Sequence, residues 1–167
     1  MELARAGASL ILRAATRTDA PVIAALFLAS KRKAMPYLPE LHTDEETYDW
    51  IESDILETHE VEVAEVESTV VGFAAIKGGL LGHLYVHPDR QGVGVGSALL
   101  ASAKERRPSG LELWTFQRNE VARRFYARHG FRAVELTDGA DNEEREPDVR
   151  YVWSGQAYAA TDATIEA

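Results

Sequence analysis

The run Val86-His87-Pro88-Asp89-Arg90-Gln91-Gly92-Val93-Gly94-Val95-Gly96-Ser97-Ala98-Leu99-Leu100 sets glycines at alternate positions between an apolar stretch and an amphipathic one. Gly92, Gly94 and Gly96 carry no Cβ, so the backbone there is open to close approach. Successive amide N–H groups can point at an anion, with the positive end of a following helix behind them. A pyrophosphate suits such a loop; a tightly packed turn is the competing reading. Two common phosphate motifs are absent. A Walker loop needs Gly, four residues and then Gly-Lys-Ser/Thr, and no such string occurs. The dinucleotide fingerprint needs a third glycine three residues after the second, where counting from Gly94 gives Ser97.

A second segment, Asn119-Glu120-Val121-Ala122-Arg123-Arg124-Phe125-Tyr126-Ala127-Arg128-His129-Gly130-Phe131, reads as a helix capped by Asn119 and closed by Gly130. Ala122, Phe125, Tyr126 and His129 share one face of it. Tyr126 is then either a core phenol or a proton donor directed inward. No metal site is expected. His83 and His87 are four apart on a strand, which separates them by ~13 Å, too far to share an ion. Glu143-Glu144-Arg145-Glu146 reads as a solvated loop.

The elements that hold these segments follow from periodicity and punctuation. Residues 10–15 open as a strand, and Thr18-Asp19 caps a helix that runs through Pro21 to about Ala29. Residues 34–39 contain two prolines and break regular structure. Thr43 with Glu46 forms a capping-box pattern for a second helix that continues past Trp50 and Ile55. From residue 60 the period changes to two, giving strands around a Glu67-Ser68 turn and a third over residues 80–86, whose apolar run predicts burial on both faces. A helix over residues 97–106, a strand over 111–116, the Asn119 helix and strands over 131–136 and 149–153 complete the order. Paired strands followed by strand–helix alternation predict an α/β fold with a mixed, partly antiparallel sheet. One domain over residues 9–153 is expected, with a loose tail over 154–167.

Composition narrows the function classes. The net charge is -9 and the densest basic run is Lys31-Arg32-Lys33, which a solvated helix end explains. No track of positive charge serves nucleic acid. With no cysteine, neither disulfides nor thiolate chemistry is available. No apolar run reaches the roughly 18 residues of a membrane span, so a soluble cytoplasmic protein is the expectation.

Taken together, the two segments resemble the GNAT superfamily of N-acetyltransferases. That family's Gln/Arg-x-x-Gly-x-Gly/Ala loop is matched by Gln91, Gly94 and Gly96, and its later Asn-capped helix by Asn119, Phe125-Tyr126 and Gly130-Phe131. The likeness is sharp over residues 84–131 and diffuse over 10–153. It implies a central sheet flanked by about four helices, with splayed strands at an acyl-CoA site and acetyl-CoA as co-substrate. Leu84, Tyr85 and Val86 would then face the pantetheine arm, and backbone N–H groups of Gln91, Gly92, Val93, Gly94, Val95 and Gly96 would hold the pyrophosphate, with Ser97 at the helix start. Asn119 would contact the pantetheine, and Tyr126 would be the general acid that protonates the departing thiolate. In such a reaction an amine attacks the thioester, and a backbone N–H near Val86 stabilises the oxyanion.

The base departs from the family pattern. Its usual places on the strand hold Leu80 and Gly82, which accept no proton. His83 is adjacent, but strand alternation turns it to the other face unless a bulge intervenes. Glu112 is a weaker candidate, and a water chain is equally consistent. The family's acceptor region falls on residues 35–42 and 138–150. Met35, Tyr37 and Leu38 would form an apolar wall there, with Glu40 or acids of the late loop holding a cationic amine. The acceptor is expected to be a small-molecule or peptide amine. A non-catalytic acyl-CoA-binding module is the rival reading. A homodimer through the strand at residues 149–153 is a further expectation.

Overall fold

In the computed structural model, residues 8–155 are described, so most of the expected tail at 154–167 lies outside the described residues. Strand β1 (Leu10–Ala14) leads into a 3-10 turn, Arg17–Asp19. That turn is locked by Asp19, which accepts from Thr16 N at 2.7 Å and receives both guanidinium nitrogens of Arg13 at 2.8 Å. Helix α1 (Ala20–Ala34) carries Pro21 in its first turn. It runs one turn further than its apolar spacing predicts, because Lys31, Arg32 and Lys33 in the last turn complement the helix dipole. Helix α2 (Asp44–Trp50) starts with the expected box: Thr43 Oγ1 accepts from Glu46 N at 3.1 Å, and Glu46 Oε2 accepts from Thr43 N at 2.8 Å. It widens into a π turn at Ile51–Ile55 and ends with Leu56–Thr58.

Strands β2 (Glu60–Val66) and β3 (Thr69–Lys77) pair through Glu67 and Ser68, which take positive φ of 51° and 64°. That is the turn geometry matching the twist of a hairpin. The chain continues through β4 (Leu80–Val86), α3 (Val95–Arg106), β5 (Leu111–Phe116), α4 (Glu120–Arg128), β6 (Arg132–Leu136) and β7 (Asp148–Trp153). The strands form one seven-stranded sheet in the order β1-β2-β3-β4-β5-β7-β6. All pairs are antiparallel except β4 with β5. The expected mixed α/β fold is therefore present.

Two apolar clusters cover the two faces. Ile23, Phe27, Ile51 and Ile55 pack on Val63 and Phe73 on one side, and Leu99, Leu100 and Tyr126 pack on Ala74 and Leu113 on the other. Strand β3 lies between them and is buried from Val70 to Ile76.

Two expectations are corrected. Strand β4 is not buried on both faces: Leu81 alone is buried along it, because its second half has no neighbour on the β5 side. The strand at residues 149–153 is not an edge. It sits between β5 and β6, since β6 returns antiparallel outside it, and the sheet edges are β1 and β6.

Candidate functional site

Strands β4 and β5 share a single bridge, Leu80 with Glu112, and then part. The parting opens a cleft of ≈ 90 Å³ whose walls include Leu84, Tyr85, Thr115, Asn119 and Tyr126. Asn119 caps α4 by accepting from Ala122 N at 3.2 Å, which fixes it at the mouth of this cleft. Tyr126 is 8% exposed and packs against Phe125, Phe131 and Tyr151. Burial, and secondarily the neighbouring phenol of Tyr85, pushes its pKa well above the ordinary phenol value, so it holds its proton.

The glycine loop leaves β4 through a 3-10 turn, Pro88–Arg90. Gln91 pins it by donating from Nε2 to Val86 O at 3.0 Å. Gly94 begins α3 with φ +94°, a left-handed conformation that only glycine adopts without strain. Among the described residues no side chain caps this helix. Its first backbone N–H groups have no intrahelical acceptor and project from the helix end. A Cβ at Gly92 or Gly94 would meet nothing within 4 Å, so the outer face of the loop is open to a ligand. Gly96 serves packing instead, since a Cβ there would stand 3.5 Å from the Phe125 ring and 3.7 Å from Val86. Val95 buries its side chain in the core and offers only backbone, while Val93 packs partly against the same cluster. Ser97 Oγ lies 3.1 Å from His129 Nε2. His129 Nδ1 must donate to Phe125 O at 2.7 Å, so in the neutral ring Nε2 accepts from the Ser97 hydroxyl.

On the other side of β4 lies a larger cavity of ≈ 790 Å³ between α1, the α1–α2 connection and the β6–β7 loop. Its floor is aromatic. His83 lies 5.2 Å from Trp50 and 6.2 Å from Phe27 between ring centroids, and Phe27 lies 4.9 Å from Tyr85. Its rim is charged and stitched across the chain: His42 Nε2 sits 2.5 Å from Glu143, and Lys31 sits 3.9 Å from Glu144. Burial, and then Glu144, pushes the Tyr85 phenol up to about 12.

His83 lies two residues before Tyr85, so strand alternation sets both on the cavity side of β4, opposite Ala75 and Phe73. Ala75 faces His83 while Ile76 faces Leu81, so Gly82 is the bulged residue. The bulge turns Leu81 to the opposite face, into the cluster on the α3 side, and His83 lines both openings. Burial, and then the nearby His59, pushes its pKa down to about 4, so the ring is neutral near pH 7. A neutral imidazole keeps a lone pair for a proton. Glu112 is excluded as a base. Its carboxylate pairs with Arg150 at 3.1 Å and lines neither opening.

Met35 and Leu38 line the larger cavity as expected. Tyr37 does not: its ring lies under the Arg118 guanidinium, 3.9 Å from it, where Arg118 pairs with Glu146 at 2.5 Å. The contact with Arg118 holds the ring away from the cavity that its neighbours Met35 and Leu38 line. Sequence reasoning missed Phe27 and Trp50, which read as ordinary apolar helix positions. The Tyr85 side chain was legible in principle, since it lies two residues from His83 and so shares its face of β4. Among the described residues no group of three or more His, Cys, Asp or Glu could hold a metal, and no helix is long and apolar enough to cross a membrane.

Comparison with known proteins agrees with this geometry. Residues 57–133 match the family described as acetyltransferase (GNAT) domain. The chain is 28% identical over 126 residues to peptidyl-lysine N-acetyltransferase YiaC of Escherichia coli (strain K12), covering 75% of this chain and 85% of that protein. The solution structure of apo YjaB from Escherichia coli superposes with a TM-score of 0.74 at 24% identity, over 89% of this chain and 99% of that one. The paia N-acetyltransferase of Thermoplasma acidophilum, crystallised with coenzyme A, gives 0.69 at 21% identity over 87% and 99%. These two structures share the fold. The match over residues 57–133, under half of the chain, spans the parting strands, the glycine loop and all of α4, and marks this stretch as similar to a GNAT acetyltransferase domain.

Proposed function

We propose that the chain transfers an acetyl group from acetyl-CoA to a primary amine by direct attack on the thioester. One observation carries the reading: the cleft where β4 and β5 part is lined by both the phenol of Tyr126, which holds its proton, and the neutral imidazole of His83. Acetyl-CoA supplies the activated acyl group. The open loop at Gly92 and Gly94 and the uncapped α3 terminus would hold its pyrophosphate through backbone N–H groups. Leu84, Tyr85 and Val86 would flank the pantetheine arm with Asn119 opposite. A backbone N–H on the open edge of β4 near Val86 would stabilise negative charge on the reacting carbonyl oxygen. His83 would take the amine proton, and Tyr126 would give one to the leaving sulfur.

The acceptor enters from the larger cavity. Its aromatic floor suits an apolar stem, and Glu40, Glu46, Glu143 and Glu144 near the rim suit an approaching ammonium. A lysine side chain fits that description, and a relative is named as a peptidyl-lysine acetyltransferase. A small diamine fits it as well. The domain proposed for this activity is residues 9–153. Self-association by strand pairing would use β6, all of whose residues are exposed. The test is thiol release from acetyl-CoA with a panel of amines and lysine peptides. Turnover above the hydrolytic background with at least one acceptor is expected; CoA binding with no turnover would leave an acyl-CoA-binding module instead.

A further inference from the structure

His59 belongs to none of the motifs above. It follows the last turn of α2, directly after the π turn at Ile51–Ile55. Its ring centroid stands 5.9 Å from that of His83. Its Nε2 lies 3.4 Å from the point where a Cβ would sit on Gly82. The strand presents no side chain at Gly82, and the imidazole of His59 fills that place from α2.

Hydrogen bonds fix the tautomer. Thr58 Oγ1 donates its one proton to Asp54 O at 2.8 Å. At its 2.8 Å contact with His59 Nδ1 the hydroxyl oxygen must therefore accept, and Nδ1 must carry the hydrogen. The lone pair is left on Nε2, the nitrogen at Gly82. The charged groups acting on the pair come from each neighbouring element: Asp54 on the π turn, Lys77 on β3 and the two rings themselves. Burial, then Lys77, lowers the His59 pKa, and Asp54 opposes this.

We infer that His59 is a proton-relay residue for His83, carrying to solvent the proton that the acceptor amine loses. The inference rests on the acetyl transfer proposed above. His83 lines the acceptor cavity and His59 does not, while His59 is only half-buried. A neutral amine that forms its bond to the acyl carbon must shed one proton. That proton goes to His83, then to His59 Nε2 directly or through one bridging water. The resulting imidazolium releases a proton to solvent and returns to its neutral form. The sulfur takes its proton separately, from Tyr126, which regains one from solvent before the next turnover. His59 touches no substrate; it keeps His83 ready for the next turnover.

The variant is His59→Gln, with His59→Asn, which keeps a donor for Thr58, as a second variant should the first fail to fold. In the free wild-type protein, long-range ¹H–¹⁵N spectra should show His59 protonated on Nδ1. The titration midpoint of His83 should rise in His59→Gln, because a positive neighbour is removed. With acetyl-CoA and either spermidine or an N-α-blocked lysine peptide, kcat at pH 7 should fall roughly tenfold with both KM values within about twofold. Added imidazole should restore part of the rate in His59→Ala. Full kcat in a folded His59→Gln protein, or His59 protonated on Nε2, overturns the relay while acetyl transfer stands. No thiol release from wild-type protein with either amine overturns the transfer reading and the relay with it.

Discussion

The two sides of β4 offer surfaces of different kinds. On the α3 side the surface is backbone: an uncapped helix end, a left-handed Gly94 and a loop pinned by Gln91 to Val86 O. All of it comes from one contiguous stretch of chain. On the α1 side the surface is side chains, gathered from residues as distant as His42 and Glu143, which stand 2.5 Å apart. A backbone site reads a chemical group that every substrate of the class shares. A side-chain site can be rebuilt one residue at a time, and under the proposed acetyl transfer that is where acceptor choice would lie. The comparison therefore predicts that changes on the first side alter affinity for the shared ligand, and that changes on the second alter the acceptor.

Strand β4 lies between the two, and the largest effect is expected there. His83→Gln should lower kcat by about a hundredfold with CoA affinity unchanged, the lower end of what a placed proton acceptor contributes. Rate against pH checks this, because loss of the base should steepen the dependence on the amine's own ionisation. Stability carries a second signature. The folded pKa of about 4 lies below the ordinary 6.5, so the unfolded chain binds more protons between those values. His83 thus contributes stability that is fully present above pH 6.5 and is lost as the pH falls toward 4. His83→Gln should weaken that acid sensitivity, read as thermal midpoints between pH 7 and 4.

Tyr126→Phe comes next. It keeps the ring against Phe125 and Phe131 and removes only the hydroxyl. The expected loss in kcat is roughly tenfold, with CoA affinity within about threefold. A stability change with normal turnover per folded molecule would instead make Tyr126 a core residue.

Gly94→Val tests the backbone side alone. A side chain there meets no protein atom but enters the open space beside the loop, so the CoA dissociation constant should rise about tenfold, or ~1.4 kcal/mol. The φ of +94° adds strain of ~1–2 kcal/mol to the fold, which a thermal midpoint separates from binding. Gly94→Asn, which tolerates left-handed φ, should bind CoA equally poorly with less loss of stability.

These contrasts also explain what was legible in the sequence. The local structure of the loop and α4 could be read because it is set by residue type at fixed spacing: Gly94 for its φ, Asn119 for its cap, Tyr126 for its face. The strands and the capping box at Thr43 were legible for the same local reason. The place of His83 was not, since the cavity it faces is built by Phe27 and Trp50 from far along the chain, and nothing local to Gly82 announces the bulge that turns Leu81 the other way. Tyr37 failed similarly, because the Arg118 that holds it lies far along the chain. The place of β7 inside the sheet depends on which neighbour β6 chooses, a long-range choice that alternation alone does not encode.

The smallest effect concerns the rim. Glu144 is the acid whose charge reaches Tyr85 on the aromatic floor, and its side chain is 19% exposed against 58% for Glu143. Its partner Lys31 stands 3.9 Å away, a loose pair that leaves the carboxylate available to an incoming ammonium. An exposed or half-exposed ion pair is worth ~0.2–1 kcal/mol, so Glu144→Gln should raise KM for a cationic acceptor by about two- to fivefold. It should leave kcat and CoA affinity unchanged, since it touches neither Tyr126 nor the glycine loop. Salt separates this from a packing effect: raising ionic strength should erase the difference between wild type and variant, because screening removes the same attraction. A Glu144→Gln defect that persists at high salt would mean that the carboxylate shapes the cavity rather than attracting its occupant.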